Sequence, residues 1–288
     1  MIHHSRNTAQ KQWAETKVLT ISGVVRVFNT KRNLLRSMGD YSKAWVLLLE
    51  YVEKMALSDT SEVSLAALKA LQEMITSSST ASPSKDLREI NWTLCWKAWL
   101  NIGNQKATYI ANTTEVLSHS QVLLTGYVQI FHVLFPHLKS SFRREDVESL
   151  GKVLMSCSQV PLDTEFESLN SVSPLHSAAL EALEAVQEVA LEHHNIVPEV
   201  FDVFIKFGRT SLLLNKTNGG NKDNSRFKEK FSLLGEACME TMAKFYEKAC
   251  EVSRIQQLTP LIGPKFGDSA VVWSAVALKF CDFIIKIR

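Results

Sequence analysis

The sequence has few of the residues that tight turns require, with 11 glycines and 7 prolines among 288 residues. All-β proteins use both freely at their turns, so this scarcity favours long helices. The sequence also lacks an excess of either charge, since 32 basic and 30 acidic residues leave a net charge of +2. A protein that reads nucleic acid normally carries a clear basic excess. The composition therefore argues against nucleic acid as a partner.

Motifs of the common catalytic and cofactor sites are absent as well. The sequence contains no G-x-S-x-G nucleophile elbow, no G-x-x-x-x-G-K-[ST] phosphate loop, no G-x-G-x-x-G fingerprint and no H-E-x-x-H zinc motif. The adjacent His193 and His194 point in different directions on a helix and cannot chelate one ion together. We therefore expect no enzyme activity, no cofactor and no metal site. An enzyme of unrecognised type would need a pocket that gathers titratable groups from separate helices.

The chain shows no sign of secretion or of membrane insertion. Its five cysteines are scattered without a C-x-x-C pair, which indicates buried free thiols in a reducing compartment. Met1 to Gln12 is polar and lacks the apolar core of a signal peptide. The longest apolar stretch, Ala270 to Ile287, is interrupted by Lys279, Asp282 and Lys286, and charges are rare near the centre of a membrane span. These features predict a cytoplasmic protein.

Apolar residues recur at helical spacing along almost the whole chain. One stripe consists of Tyr41, Trp45, Leu48, Leu49 and Val52. Another steps by three or four residues from Phe227 to Val252. The periodicity predicts about ten helices, which lie near 14–37, 41–57, 61–76, 86–103, 116–139, 144–157, 174–194, 198–214, 225–254 and 268–287.

The fold class that this pattern predicts is all-α, a HEAT- or armadillo-like helical-repeat solenoid. Two related hexapeptides, AALKAL at Ala66 to Leu71 and AALEAL at Ala178 to Leu183, suggest an internal repeat. About ten helices cannot share the core of one four-helix bundle, so a stack of helical hairpins fits better. We expect one domain over residues 1–288, a fragment of a much longer chain, with flexible polar loops near 77–84, 161–173 and 215–224.

Half of the six tryptophans fall on one face of a predicted helix. Trp92, Trp96 and Trp99 are spaced at i, i+4 and i+7. Packing in the repeat core is one interpretation. An aromatic groove for a partner is the other, because tryptophan is enriched at binding hot spots.

A basic cluster, Arg26, Lys31, Arg32 and Arg36, lies near the end of the first predicted helix. It is either a solvated helix face or a contact with anionic lipid headgroups or an acidic partner.

The last predicted helix has apolar residues on more than one face. Leu278 and Ile285 lie away from the sector that contains Trp273. A terminal repeat that caps a solenoid needs a polar outer face. We therefore expect a second cover over Leu278 and Ile285, which would be a following repeat, a second copy of this chain in a homodimer, or a partner. Burial by earlier helices of this chain is the alternative.

The N-terminal third resembles the carboxy-terminal part of the Mon-two family of large Golgi and endosome scaffolds. The residues that carry the resemblance are QWAETKVLTISGVVRVFNTKRNLL at Gln12 to Leu35, then Ala44-Trp45, Leu48-Leu49-Glu50 and EVSLAALKAL at Glu62 to Leu71. A later segment, FSLLGEACMETMAKFY at Phe231 to Tyr246, resembles the same region more loosely. The family is similar to the large Arf exchange factors of the BIG type but lacks their Sec-seven catalytic domain.

The resemblance implies a non-catalytic scaffold in endosome-to-Golgi trafficking, peripheral on Golgi and endosome membranes. It implies a Dopey-family protein, an Arf-like GTPase and a phospholipid flippase as partners. A helical-repeat adaptor of an unrelated pathway and a nucleic-acid-binding repeat protein are the alternatives.

Overall fold

Helices joined by turns make up the part of the chain that the structure describes. A computed structural model describes residues 2–79, 90–111, 120–159, 171–192, 196–217 and 233–248. The helices are α1 (Ile2–Thr30), α2 (Arg32–Ser37), α3 (Tyr41–Ala56), α4 (Ser61–Ser79), α5 (Trp92–Ala111), α6 (Ser120–Leu134), α7 (Arg144–Ser158), α8 (Pro174–Glu192), α9 (Val197–Thr217) and α10, residues 233–248. Two 3-10 turns, Phe135–His137 and Lys139–Ser141, follow α6. No strand occurs within these ranges, and the predicted all-α class is confirmed.

The chain divides into two compact units, Met1–Ser140 and Ser141–Arg288. In the first unit, α4 packs against α1, α3 and α6, while α5 packs against α3 and α6. In the second unit, α7, α8 and α9 pack against one another. This side-by-side packing of helices is the arrangement that helical-repeat proteins use. The single domain over residues 1–288 stays a prediction.

The buried face of α3 is the stripe that the sequence predicts. Tyr41, Trp45, Leu48, Leu49 and Val52 are all buried. The break before α3 also falls where expected. Gly39 has a φ of 75°, in the left-handed region that favours glycine. Its N–H donates to the Arg36 carbonyl at 3.0 Å, and this bond ends α2.

Helix α10 buries the central residues of the second predicted stripe. Leu234, Cys238, Met242 and Phe245 are buried. The Phe245 ring stacks on Phe201 of α9 with centroids 4.7 Å apart. Both ends of the predicted segment, 225–232 and 249–254, lie outside the described residues.

Several predicted helix boundaries are wrong. Helix α1 begins at Ile2 and not near residue 14, because its polar first turns contain no glycine or proline that would end a helix. Helices α4 and α9 continue through Ser79 and Thr217, into two segments predicted as loops. In α4 the Ser78 hydroxyl donates to the Met74 carbonyl at 2.7 Å, so the serine side chain bonds within the helix. The remaining predicted loop residues, 80–84, 161–170 and 218–224, lie outside the described part.

Candidate functional surface

The three cysteines among the described residues are all buried. Cys95, Cys157 and Cys238 are buried free thiols, and burial raises the pKa of each to about 12. Thiols with such pKa values stay protonated near neutral pH and are poor nucleophiles. Within the described ranges, no three His, Cys, Asp or Glu residues come together as metal ligands.

Lys106 is a buried cation with a structural role. Its ammonium group donates to the Ser58 carbonyl, in the turn that follows α3. Burial lowers the pKa of this lysine, and the nearby Asp59 carboxylate opposes that shift. The arrangement holds α5 to the end of α3.

The three tryptophans of α5 belong to the packing of the first unit. Trp96 and Trp99 are buried and stack with ring centroids 5.2 Å apart. Trp92 is half-buried and stacks on His137 at 3.8 Å, with the rings 5° from parallel. Trp96 and Trp99 are therefore core residues and do not line an exposed aromatic groove. The burial of Trp96 and Trp99 fits the repeat-core interpretation, and partner binding at Trp92 stays a prediction.

The basic cluster separates into structural and exposed residues. Arg32 is buried and donates to the Ser77 carbonyl at the end of α4 and to the Asn29 side chain. The Arg36 guanidinium lies 4.7 Å from the centre of the Tyr41 ring, in a cation–π contact. Arg26 and Lys31 are exposed. The prediction that all four residues contact an anionic surface is therefore wrong for Arg32, because its guanidinium forms hydrogen bonds inside the first unit.

Leu278 and Ile285 lie outside the described residues.

An exposed apolar groove, which the sequence did not predict, runs between α1 and α3. We call it the α1–α3 groove. It has a volume of about 600 Å³, and its lining includes Val24, Val27 and Phe28 of α1, Leu34 of α2, and Leu47 and Leu48 of α3. Phe28 and Leu48 are buried and form its floor, whereas Val27 is 60% exposed and Leu47 is 66% exposed. The described part of the chain thus leaves large aliphatic side chains in solvent on both walls.

The sequence does contain a signal for this groove. Leu47 falls outside the buried stripe of α3, and Val24 and Val27 fall beside the buried Val25 and Phe28 of α1. Apolar residues on two faces of a helix indicate two packing surfaces. Surface exposure of single aliphatic residues is ordinary, but a continuous apolar surface marks an interaction site.

Positive charge surrounds the α1 wall of the groove. Lys31 lines the groove, and Lys17 lies three residues before the lining residue Thr20, on the same helix face. Between Ile2 and Ser37 the sequence has seven Lys or Arg and one acidic residue, Glu15. Glu15 is two positions from Lys17 and points to the other side of α1.

Comparison with known proteins defines the family. The model for the C-terminal region of Mon2 protein matches residues 1–103 and 87–217, which together cover most of the chain. The chain belongs to the Mon2 family. This assignment confirms the resemblance to the Mon-two family that the sequence suggested.

Curated Mon2 relatives are much longer than this chain. The chain is 38% identical over 244 residues to Protein MON2 homolog of Drosophila melanogaster, which covers 73% of the chain and 14% of that relative. It is 33% identical over 270 residues to Protein MON2 homolog of Homo sapiens, covering 72% of the chain and 16% of the relative. The chain therefore spans about one-sixth of the length of these Mon2 proteins. No solved structure matches.

No helix among the described residues combines the length and the hydrophobicity needed to span a bilayer.

Proposed function

We propose that this Mon2-family chain is part of a non-catalytic scaffold in endosome-to-Golgi membrane trafficking. It would bind protein partners through the surfaces of its packed helices. The observation that carries the proposal is the α1–α3 groove, an apolar surface about 600 Å³ in volume on a member of this family. The burial of the three described thiols and the structural use of Lys106 fit a binding role better than a catalytic one.

By resemblance, a Dopey-family protein, an Arf-like GTPase and a phospholipid flippase are the proposed partners. The proposed location is the cytoplasmic face of Golgi and endosome membranes, where the chain would be peripheral. These assignments rest on family resemblance, and no described residue is assigned to a particular partner.

A rescue experiment tests the proposal. Cells that lack their own Mon2 protein would receive a full-length Mon2 protein, either unchanged or without the region that corresponds to residues 1–217. The measurement is the fraction of a recycling cargo that returns from endosomes to the Golgi. We expect the unchanged protein to restore retrieval and the deletion to fail although it reaches equal abundance. Full retrieval with the deletion would rule out a trafficking role for this region.

A further inference from the structure

We propose that the α1–α3 groove is a docking site for an acidic amphipathic helix of a partner protein. The inference rests on the proposed scaffold function and names the class of partner that the groove accepts. Its experiment uses purified components, so that it succeeds or fails independently of the cellular rescue.

The groove can accept the apolar side chains of a helix. Its floor residues Phe28 and Leu48 are only 7% and 6% exposed, while Val27 and Leu47 rise on opposite walls. A row of side chains on a helix can enter such a channel and reach the floor.

The length of the groove matches a short helix. Its lining on the α1 side runs from Thr20 to Lys31, which at the rise of an α-helix spans about 16 Å, or about three turns. On the α3 side it runs from Ala44 to Tyr51. A helix with apolar residues at i, i+3 or i+4, and i+7 would place its stripe along this distance.

The charges beside the groove select an acidic partner. Lys17 of α1 and Lys31, in the turn that follows α1, border the groove, and Glu15 points away from it. On α3, Lys43 and Lys54 lie four residues before and seven residues after Leu47. Two carboxylates oppose them on this side: Asp40 forms an ion pair with Lys43 at 3.7 Å, and Glu50 lies three residues after Leu47. The positive edge of the groove is therefore the α1 side, and it is there that carboxylates flanking the apolar stripe of a partner helix would meet it.

Two synthetic helical peptides test the charge preference with the full 288-residue chain. Both carry the same leucine stripe, one flanked by glutamates and the other by lysines, and each has about 18 residues, or five turns. Fluorescence anisotropy measures their binding. We expect the glutamate peptide to bind at least about tenfold more tightly at low salt. The ratio should shrink at high salt, because exposed charges are screened.

Variants locate the binding. Leu47→Glu places a charge on a groove wall, and we expect it to weaken binding of the glutamate peptide at least about tenfold. Leu19→Glu is the matched control, because Leu19 is 74% exposed on α1 and does not line the groove. Lys31→Glu should weaken binding of the glutamate peptide about threefold and strengthen binding of the lysine peptide. Lys11→Glu is its control, since Lys11 is exposed and does not line the groove.

The remaining outcomes overturn the proposal. Equal binding of both peptides, or no loss with Leu47→Glu, would mean that the groove does not select an acidic helix. Binding to phosphatidylserine vesicles that depends on Leu47, with no peptide binding, would assign the groove to a membrane. Self-association that Leu47→Glu abolishes, again without peptide binding, would assign it to a second copy. Circular dichroism of each variant verifies that the helices persist, since all four substituted side chains are exposed.

Discussion

Trp99 and Tyr127 exchange side-chain hydrogen bonds with each other's backbone. The Trp99 indole N–H donates to the Tyr127 carbonyl at 3.1 Å, and the Tyr127 hydroxyl donates to the Trp99 carbonyl at 2.8 Å. Their rings stack with centroids 4.6 Å apart, and both residues are buried. The pair thus fixes α5 against α6 by burial and by satisfied polar groups.

Removing either hydrogen bond should destabilise the first unit. We expect Tyr127→Phe to lower the free energy of unfolding by about 1 kcal/mol, because the ring remains and one buried hydrogen bond is lost. Trp99→Phe should lower the free energy of unfolding by about 2 kcal/mol, because it removes a hydrogen bond and also leaves a cavity. Chemical denaturation measures both values.

The double variant and an exposed tryptophan provide the controls. Because the two residues are in contact, the cost of the double variant should differ from the sum of the single costs by about 0.5 kcal/mol or more. Trp13→Phe should change stability by less than about 0.5 kcal/mol, because Trp13 is 67% exposed. A Tyr127→Phe variant with the same free energy of unfolding as the wild type would contradict the hydrogen bond from the Tyr127 hydroxyl to the Trp99 carbonyl.

Arg32 should stabilise the fold, whereas Arg26 should not. Arg32 donates to the Ser77 carbonyl in the last turn of α4, where carbonyls lack helical partners and positive charge is favourable. We expect Arg32→Met to lower the free energy of unfolding by about 2 kcal/mol, since a hydrogen bond to a charged group is lost. Arg26→Met, at an exposed position, should change the free energy of unfolding by less than about 0.5 kcal/mol. Thermal unfolding of both variants checks the difference, and equal melting temperatures would refute it.

Gly151 and Gly126 should respond to alanine in opposite directions. A Cβ at Gly151 would lie 2.6 Å from Cγ2 of Val203 on α9, and a Cβ at Gly126 would meet nothing within 4 Å. We expect Gly151→Ala to destabilise the protein by about 1–3 kcal/mol through overpacking. Gly126→Ala should stabilise it by about 0.5–1 kcal/mol, because alanine favours the helix. Denaturant titrations of both variants test the pair, and a stabilising Gly151→Ala would disprove the close contact of α7 and α9.

Local patterns in the sequence predict the buried faces of helices but not the partners of those faces. The stripe of α3 from Tyr41 to Val52 could be predicted because helical periodicity is a local property. The role of Arg32 could not, since its acceptor, Ser77, lies 45 residues further along the chain. The groove escaped prediction for a similar reason. Leu47 lies beside the predicted stripe of α3, which indicates a second apolar face, but only the packing of α1 and α3 shows that this face stays exposed.

The Trp92–His137 stack couples the first unit to pH. The rings lie 3.8 Å apart between centroids, and burial lowers the pKa of His137 below its ordinary value. The folded state therefore favours the neutral imidazole more than the unfolded state does. The stability that this histidine contributes is complete above the unfolded-state pKa of about 6.5 and is lost as the pH falls through the lower folded-state pKa.

We expect the free energy of unfolding to fall between about pH 7 and pH 5, and His137→Phe to reduce that fall. Phenylalanine keeps a ring against Trp92 but cannot bind a proton. Denaturant titrations of the wild type and the variant across this pH range measure the difference. An NMR titration of the His137 ring tests the cause directly, because Trp92→Ala should expose the imidazole and raise its pKa towards about 6.5. If the pKa of His137 in the wild type is at or above that value, burial beside Trp92 does not control its protonation. The free energy of unfolding of His137→Phe should then have the same pH dependence as that of the wild type.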